Sequence, residues 1–430
     1  MDDIIIIKQE DFMKQIRIEG GHLLSGTINI SGAKNSAVAL IPASLLSDEI
    51  LKLDNVPNIS DIDALNEILV YLGASVKRDG SLMIIDSSKI ENKEIPESIS
   101  KKLRASYYFM SALLGKYKKV EMYFPGGCSI GARPIDQTLK TFRALGATVK
   151  EEGNRFSISA ERLVGTKIQL DMPSVGATIN TLLASVKAEG ETILQNAAKE
   201  PEIVSVATFL NQMGAKITGA GTSEIHIVGV DYLGSCFTEV IPDRIEAGTY
   251  VLAGALMGDN LTISNLIPEH ISALTYKLQD MGVDMEIGHD YIRLSKCDNL
   301  RPTSITTTGY PGFPTDLQQP ITTLLTQCNG MSRLEETIYE NRFQNVPYLN
   351  LMGANIDVNG RVLHISGKTK LHSNLVEATD LRAGACLVLA ALIAEGETTI
   401  TGIEHVLRGY ENIIGKLTDV GAKITLEEYN

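Results

Sequence analysis

The sequence predicts an α/β protein of two similar domains, each built from three repeated units, and three observations carry that prediction. First, a helix-like stretch running into Gly, a further residue and alternating apolar positions recurs six times, as LGASV, LGATV, MGAKI, MGVDM, MGANI and VGAKI. The glycines (Gly73, Gly146, Gly214, Gly282, Gly353 and Gly421) stand 73, 68, 68, 71 and 68 residues apart, the regularity of a repeated supersecondary unit. Second, AEGET recurs at 188–192 and 394–398, and GAKIT at 214–218 and 421–425, at offsets of 206 and 207, which is three units. Third, 430 residues that are 44% hydrophobic supply more than one core, since a domain takes roughly 100–200 residues. One continuous solenoid is the weaker alternative, because its repeats run about 20–50 residues.

Along the chain, each repeated Gly is expected to end a helix, where a left-handed residue without Cβ is favoured. Helix starts are expected at Pro134 and Pro201, in first-turn positions followed by Asp136 and Glu202, and at Ser174 as an N-cap. Asp243, Asp316 and Asp380 follow turn-rich or extended segments. Each reads as a helix cap or, beside a substrate hydroxyl, as a general base. The apolar run 385–394 reads as a buried helix, well short of the ~18 residues of a membrane span.

A net charge of -13 argues against nucleic acid and anionic membrane as partners, because both are bound through clustered Lys and Arg. The opening MDDIIIIKQEDFMKQ lacks the pattern of a signal peptide, so a cytoplasmic location is expected. Five scattered cysteines give neither a disulfide framework nor a metal site. Cys128, within PGGCSIGARPID at 125–136, is the exception in setting: flexible glycines, Arg133 and a predicted helix start favour a reactive thiol over a buried small hydrophobe. Cys236, Cys297, Cys328 and Cys386 read as structural. Lys34 and Asn35 either offer an ammonium and an amide to an anion or serve as a solvated Lys and a capping Asn. Arg104, Arg342, Arg382 and Arg408 stand singly among small or apolar residues. Each makes an internal salt bridge, or together with Lys34 and Arg133 they bind a polyanionic substrate.

SGAKNSA, LRASYY, PGGCSIGARPID, NAAKEPEI, PDRIEAGT, FPTDLQ, YENRF, ATDLRA and RGYE, in this order from Ile16 to the C-terminus, resemble the enolpyruvyl transferases, in particular the branch acting on UDP-N-acetylglucosamine. The resemblance implies a two-domain inside-out α/β barrel of six units, three per domain, with the active site in the inter-domain cleft. Residues 1–33 and 242–430 would form one domain and 34–241 the other, with crossings near Lys34 and Ile241. It implies transfer of the enolpyruvyl group of phosphoenolpyruvate to the 3′-hydroxyl of UDP-N-acetylglucosamine, the first committed step of peptidoglycan precursor synthesis, with no metal or cofactor.

By the same resemblance Cys128 protonates the methylene carbon and is the thiol fosfomycin would alkylate. Lys34, Arg133 and Arg408 look like phosphate contacts, Arg342 and Arg382 like carboxylate contacts, and Asn35 and Arg104 face the nucleotide sugar. Asp316 takes the hydroxyl proton and Asp380 assists proton traffic. Arg133, Pro134, Ile135, Asp136 and Gln137, with Ser174, Val175 and Gly176, resemble the uridine-diphosphate site, and Glu200 and Ile338 belong to the substrate site. The stretch DMP before Ser174 lacks the basic residue some members carry there. Two alternatives remain: 5-enolpyruvylshikimate-3-phosphate synthase, against which Cys128 speaks, and a silent paralogue that only binds UDP-N-acetylglucosamine, against which the retained Asp316 and Arg408 speak.

Overall fold

A computed structural model describes residues 13–124 and 135–429. Cys128, Arg133 and Pro134 lie outside the described residues.

Residues 167–228 show the plan of a unit. A short strand (Lys167–Gln169) leads to a buried helix (Val175–Ser185), a second strand (Glu191–Gln195), an amphipathic helix (Pro201–Gln212) and a hairpin (Lys216–Thr218, Glu224–Val228). The first two strands pair in parallel, and the hairpin adds antiparallel through its last strand. The described residues form six such sheets, five of four strands and one of three. In the three-stranded sheet a single parallel bridge from Ile95 to Met122 stands in for the leading strand.

All six repeated glycines have left-handed backbones, with φ from 97° to 111°. In each, the following residue donates its N–H to the carbonyl five positions earlier, as Ala215 does to Leu210 and Ala422 to Leu417, both at 3.0 Å. The helix thus closes its last turn and releases the chain into the hairpin, as the repeat predicts.

One helix per unit is apolar nearly all round and therefore internal. Lys34–Ala43, Tyr108–Tyr117 and Val175–Ser185 pack in one group, and Arg244–Met257, Gln318–Leu325 and Leu381–Ile393 in another. The sheets lie outside them and bury alternate residues such as Leu194, Ile225 and Ile227. This is the inside-out arrangement. Buried apolar residues fall into two cores, one spanning Ala33 to Val240, the other joining Ile16 to Ile30 with Ile245 to Ala422.

Units on either side of a crossing exchange leading strands, so that each such strand pairs within the lobe that the chain is about to leave. Thr27–Asn29 pairs in parallel with Leu261–Ser264, and Phe237–Glu239 with Ile50–Asp54, just before the chain crosses in each direction. The two crossings lie side by side: Ala33 N–H donates to Ile241 O at 2.7 Å and Asp243 N–H to Ser31 O at 2.9 Å. Gly32 is required there, because a Cβ would sit 1.7 Å from the Asn55 carbonyl oxygen. The first strand, Met13–Glu19, fills the hairpin place of the sixth sheet between Glu397–Thr401 and Lys423–Tyr429, so the two ends of the chain complete one unit.

Candidate active site

Asp243 organises the crossing. Its Oδ1 caps the Arg244–Met257 helix, accepting from Ile245 N–H (2.8 Å) and Glu246 N–H (3.0 Å). Its Oδ2 accepts from Lys34 N–H at 3.0 Å, at the start of the Lys34–Ala43 helix, which has no capping side chain of its own. One carboxylate therefore fixes the first turns of a helix in each lobe, and Lys34 with them. Asn35 is the second residue of that helix, half-buried, and is not its cap.

The Lys34 ammonium lies 2.5 Å from Asp61 Oδ2, and Asp61 Oδ1 accepts from Arg408 Nε at 3.0 Å. Burial lowers the Lys34 pKa, partly offset by Asp61, and the charges of Arg382 and Arg408 push it the same way as burial. Arg382 belongs to the second cluster, in which Asp316 accepts from Arg342 at 2.7 Å and from Arg382 at 2.9 Å. Both guanidinium side chains are almost fully buried. Burial alone would push the Asp316 carboxyl up. The charges of Arg382 and Arg342 outweigh it and hold the group well below the usual carboxylate range. Four cations from both lobes thus meet at two shared carboxylates, an arrangement that suits an anionic ligand.

Of the capping readings, Asp380 fits: its Oδ1 accepts from Arg382 N–H at 2.8 Å and Ala383 N–H at 3.0 Å. Asp316 does not. It lies inside the short Thr315–Leu317 turn and is given over to the two arginines. The internal salt bridges expected for Arg342, Arg382 and Arg408 are present, but on shared partners. Arg104 opens the Arg104–Tyr107 turn, its guanidinium 5.3 Å from the Phe124 ring centroid. Cys328 and Cys386 are buried, and burial pushes the Cys236 and Cys386 thiols up to about 11, in keeping with structural roles.

Away from the cations, Ser174 caps the Val175–Ser185 helix, accepting from Ala177 N–H at 3.2 Å. Ile135 precedes the Asp136–Ala144 helix. Gln137 joins the two helix starts, donating to Asp171 Oδ2 at 2.9 Å and accepting from Asp171 N–H at 2.9 Å. Gly176 passes so close to Tyr107 that a Cβ would meet its hydroxyl at 1.9 Å, which seats this helix start against the Arg104 turn. Glu200 reaches across the lobes, accepting from Tyr310 N–H at 3.3 Å. Ile338, 40% exposed, donates its N–H to Glu336 at 2.7 Å.

Two residues escaped the sequence reading. Asp61 reads there as an ordinary acidic residue in a first helical turn, SDID. Buried Glu336 accepts from Thr307 and Thr315 hydroxyls at 2.9 and 2.8 Å, and Thr315 Oγ1 in turn accepts from Arg342 at 2.7 Å. No local pattern marks a carboxylate that acts through a threonine.

Helix-centred lobes that meet at a cluster of shared cations and carboxylates frame a site for an anionic ligand. The chain belongs to the enolpyruvyl transferase family: the model described as EPSP synthase (3-phosphoshikimate 1-carboxyvinyltransferase) matches residues 18–417. Within that family it is 51% identical, over 97% of both chains, to UDP-N-acetylglucosamine 1-carboxyvinyltransferase 2 of Geobacillus kaustophilus. It is 50% identical to the protein of that name from Bacillus subtilis, over 96% of this chain and 97% of the other. Among solved structures, the enolpyruvyl transferase NikO from Streptomyces tendae superposes with a TM-score of 0.89 at 28% identity, covering 97% of this chain and 100% of that one. EPSP synthase from Acinetobacter baumannii shares the fold, with a TM-score of 0.74 at 19% identity over 96% of this chain and 100% of its own.

Proposed function

We propose that this chain transfers the enolpyruvyl group of phosphoenolpyruvate to the 3′-hydroxyl of UDP-N-acetylglucosamine with release of phosphate. The observation that carries the reading is the meeting of four cations, Lys34, Arg342, Arg382 and Arg408, at two shared carboxylates, Asp61 and Asp316, across the lobes. The relatives at about half identity name the acceptor.

In the addition step the hydroxyl oxygen bonds to the central carbon of phosphoenolpyruvate while a proton adds to its methylene. In the elimination step the new methyl loses a proton and phosphate departs, restoring the double bond. Asp316 takes the hydroxyl proton and Cys128 delivers the proton to carbon. Lys34, Arg133 and Arg408 hold the phosphate, and Arg342 and Arg382 hold the carboxylate. Clamped by two guanidiniums, Asp316 is a poor base. A substrate carboxylate that shares Arg342 and Arg382 relieves the clamp, so the base strengthens when its substrate is present. Asn35, Arg104, Glu200 and Ile338 line the sugar, and Arg133 to Gln137 with Ser174 to Gly176 hold the diphosphate and uracil, with Asp380 aiding proton traffic. The lobes, 1–33 with 242–430 and 34–241, close on the ligands and expel water. A cytoplasmic location accords with the acidic chain and with the finding that no described helix is long and apolar enough to cross a membrane.

Fosfomycin tests the role of Cys128. Treatment is expected to abolish phosphate release and to leave one adduct, mapped by peptide mass to Cys128, and Cys128→Ala is expected to be inactive and unlabelled. Full activity after labelling, or an adduct elsewhere, would sink this assignment.

A further inference from the structure

We infer that Asp61 is a positioning residue that pairs Lys34 with Arg408 across the cleft and competes with phosphate for both. This rests on the reading of those two cations as phosphate contacts.

Asp61 is 3% exposed, in the first turn of the Ser60–Leu72 helix, so its charge is not neutralised by water. One oxygen lies 2.5 Å from Lys34 in its own lobe, the other accepts from Arg408 of the opposite lobe at 3.0 Å. A second contact across the same line, Asn58 N–H to Glu411 at 2.7 Å, keeps the two surfaces in register. Lys34 also feels the charges of Arg382 and Arg408, and Asp61 is the carboxylate that offsets them at the ammonium. Buried charge of one sign is costly unless paired, and until phosphate binds Asp61 supplies the pairing. A phosphate group offers the same two cations the same kind of acceptor. Its arrival sets two anions side by side, which weakens its hold and favours departure of inorganic phosphate after turnover, when Asp61 recovers both partners. Arg408 is left 37% exposed on its side chain, open to such an exchange.

The test is calorimetric titration of inorganic phosphate into wild type and Asp61→Asn, with turnover measured in parallel. Asn removes the charge and keeps the size of the side chain. Phosphate is expected to bind the variant roughly tenfold more tightly, to inhibit turnover more strongly as product, and to raise the variant's melting temperature more than the wild type's. Unchanged or weaker phosphate binding by a folded variant overturns the role of Asp61 and leaves the phosphate site standing. No phosphate binding by wild type overturns the site itself, and this inference with it. Asp61→Ser, measured alongside, decides between the same outcomes should the Asn chain not fold.

Discussion

A carboxylate gripped by two guanidiniums at 2.7 and 2.9 Å is stable and unreactive, and the proposed reaction asks Asp316 to be a base as well as a structural counter-charge. Asp316→Asn keeps the shape and removes the charge. Turnover is expected to fall about 10²- to 10⁴-fold, the usual worth of a positioned proton acceptor, as read by steady-state phosphate release. Activity within a few-fold of wild type would place the base elsewhere. At this scale the sequence told most about Arg342 and Arg382, singletons among small or apolar residues for which an internal ion pair is expected, and both meet Asp316. It told least where the chemistry is made by distance in space. Asp61 meets Arg408 across 347 residues, and nothing in SDID distinguishes it from any acidic helix start. The capping sense of Asp243 was legible, but its second service, to a helix 209 residues earlier, was not.

The elements were the most legible layer, because a left-handed helix end writes itself into sequence as Gly. A Cβ added at Gly214 would meet nothing within 4 Å, whereas at Gly73 it would stand 3.0 Å from the Lys89 carbonyl oxygen. Gly214→Ala is therefore expected to cost only the backbone term, about 1–2 kcal/mol, and Gly73→Ala more, by chemical denaturation of each. Equal costs would show that the carbonyl yields freely. The crossing holds a second testable device. Glu246 is buried, accepts from Ser31 N–H at 2.9 Å and meets Lys416 at 2.6 Å. Burial pushes its carboxyl up to about 7, against the pull of Lys416 and with the push of Asp243. The folded chain then keeps this proton over a range in which the unfolded chain, near 4.5, has released it. Its contribution to stability is full below that lower value and is lost as pH rises through about 7. The stability difference between Glu246→Gln and wild type should move in the variant's favour across that window. Movement the other way would mean that Lys416 outweighs burial.

At the scale of the molecule, repeats three units apart announced two like halves, but the exchange of leading strands was not readable from residue patterns. Thr27–Asn29 and Phe237–Glu239 are three-residue strands whose partners lie far along the chain or in the other half of it, and short strands carry no address. Closing the sixth sheet with Met13–Glu19 is likewise a long-range pairing. The candidate site is two-sided, with Lys34 and Asp61 from one lobe and Asp316, Arg342, Arg382 and Arg408 from the other. A cleft so built should take two anionic substrates. The most direct measurement is phosphate release from phosphoenolpyruvate with either UDP-N-acetylglucosamine or shikimate 3-phosphate as acceptor. Release with the nucleotide sugar alone, together with its enolpyruvyl ether in the mass spectrum, is expected; release with shikimate 3-phosphate, or with neither, would overturn the proposed reaction.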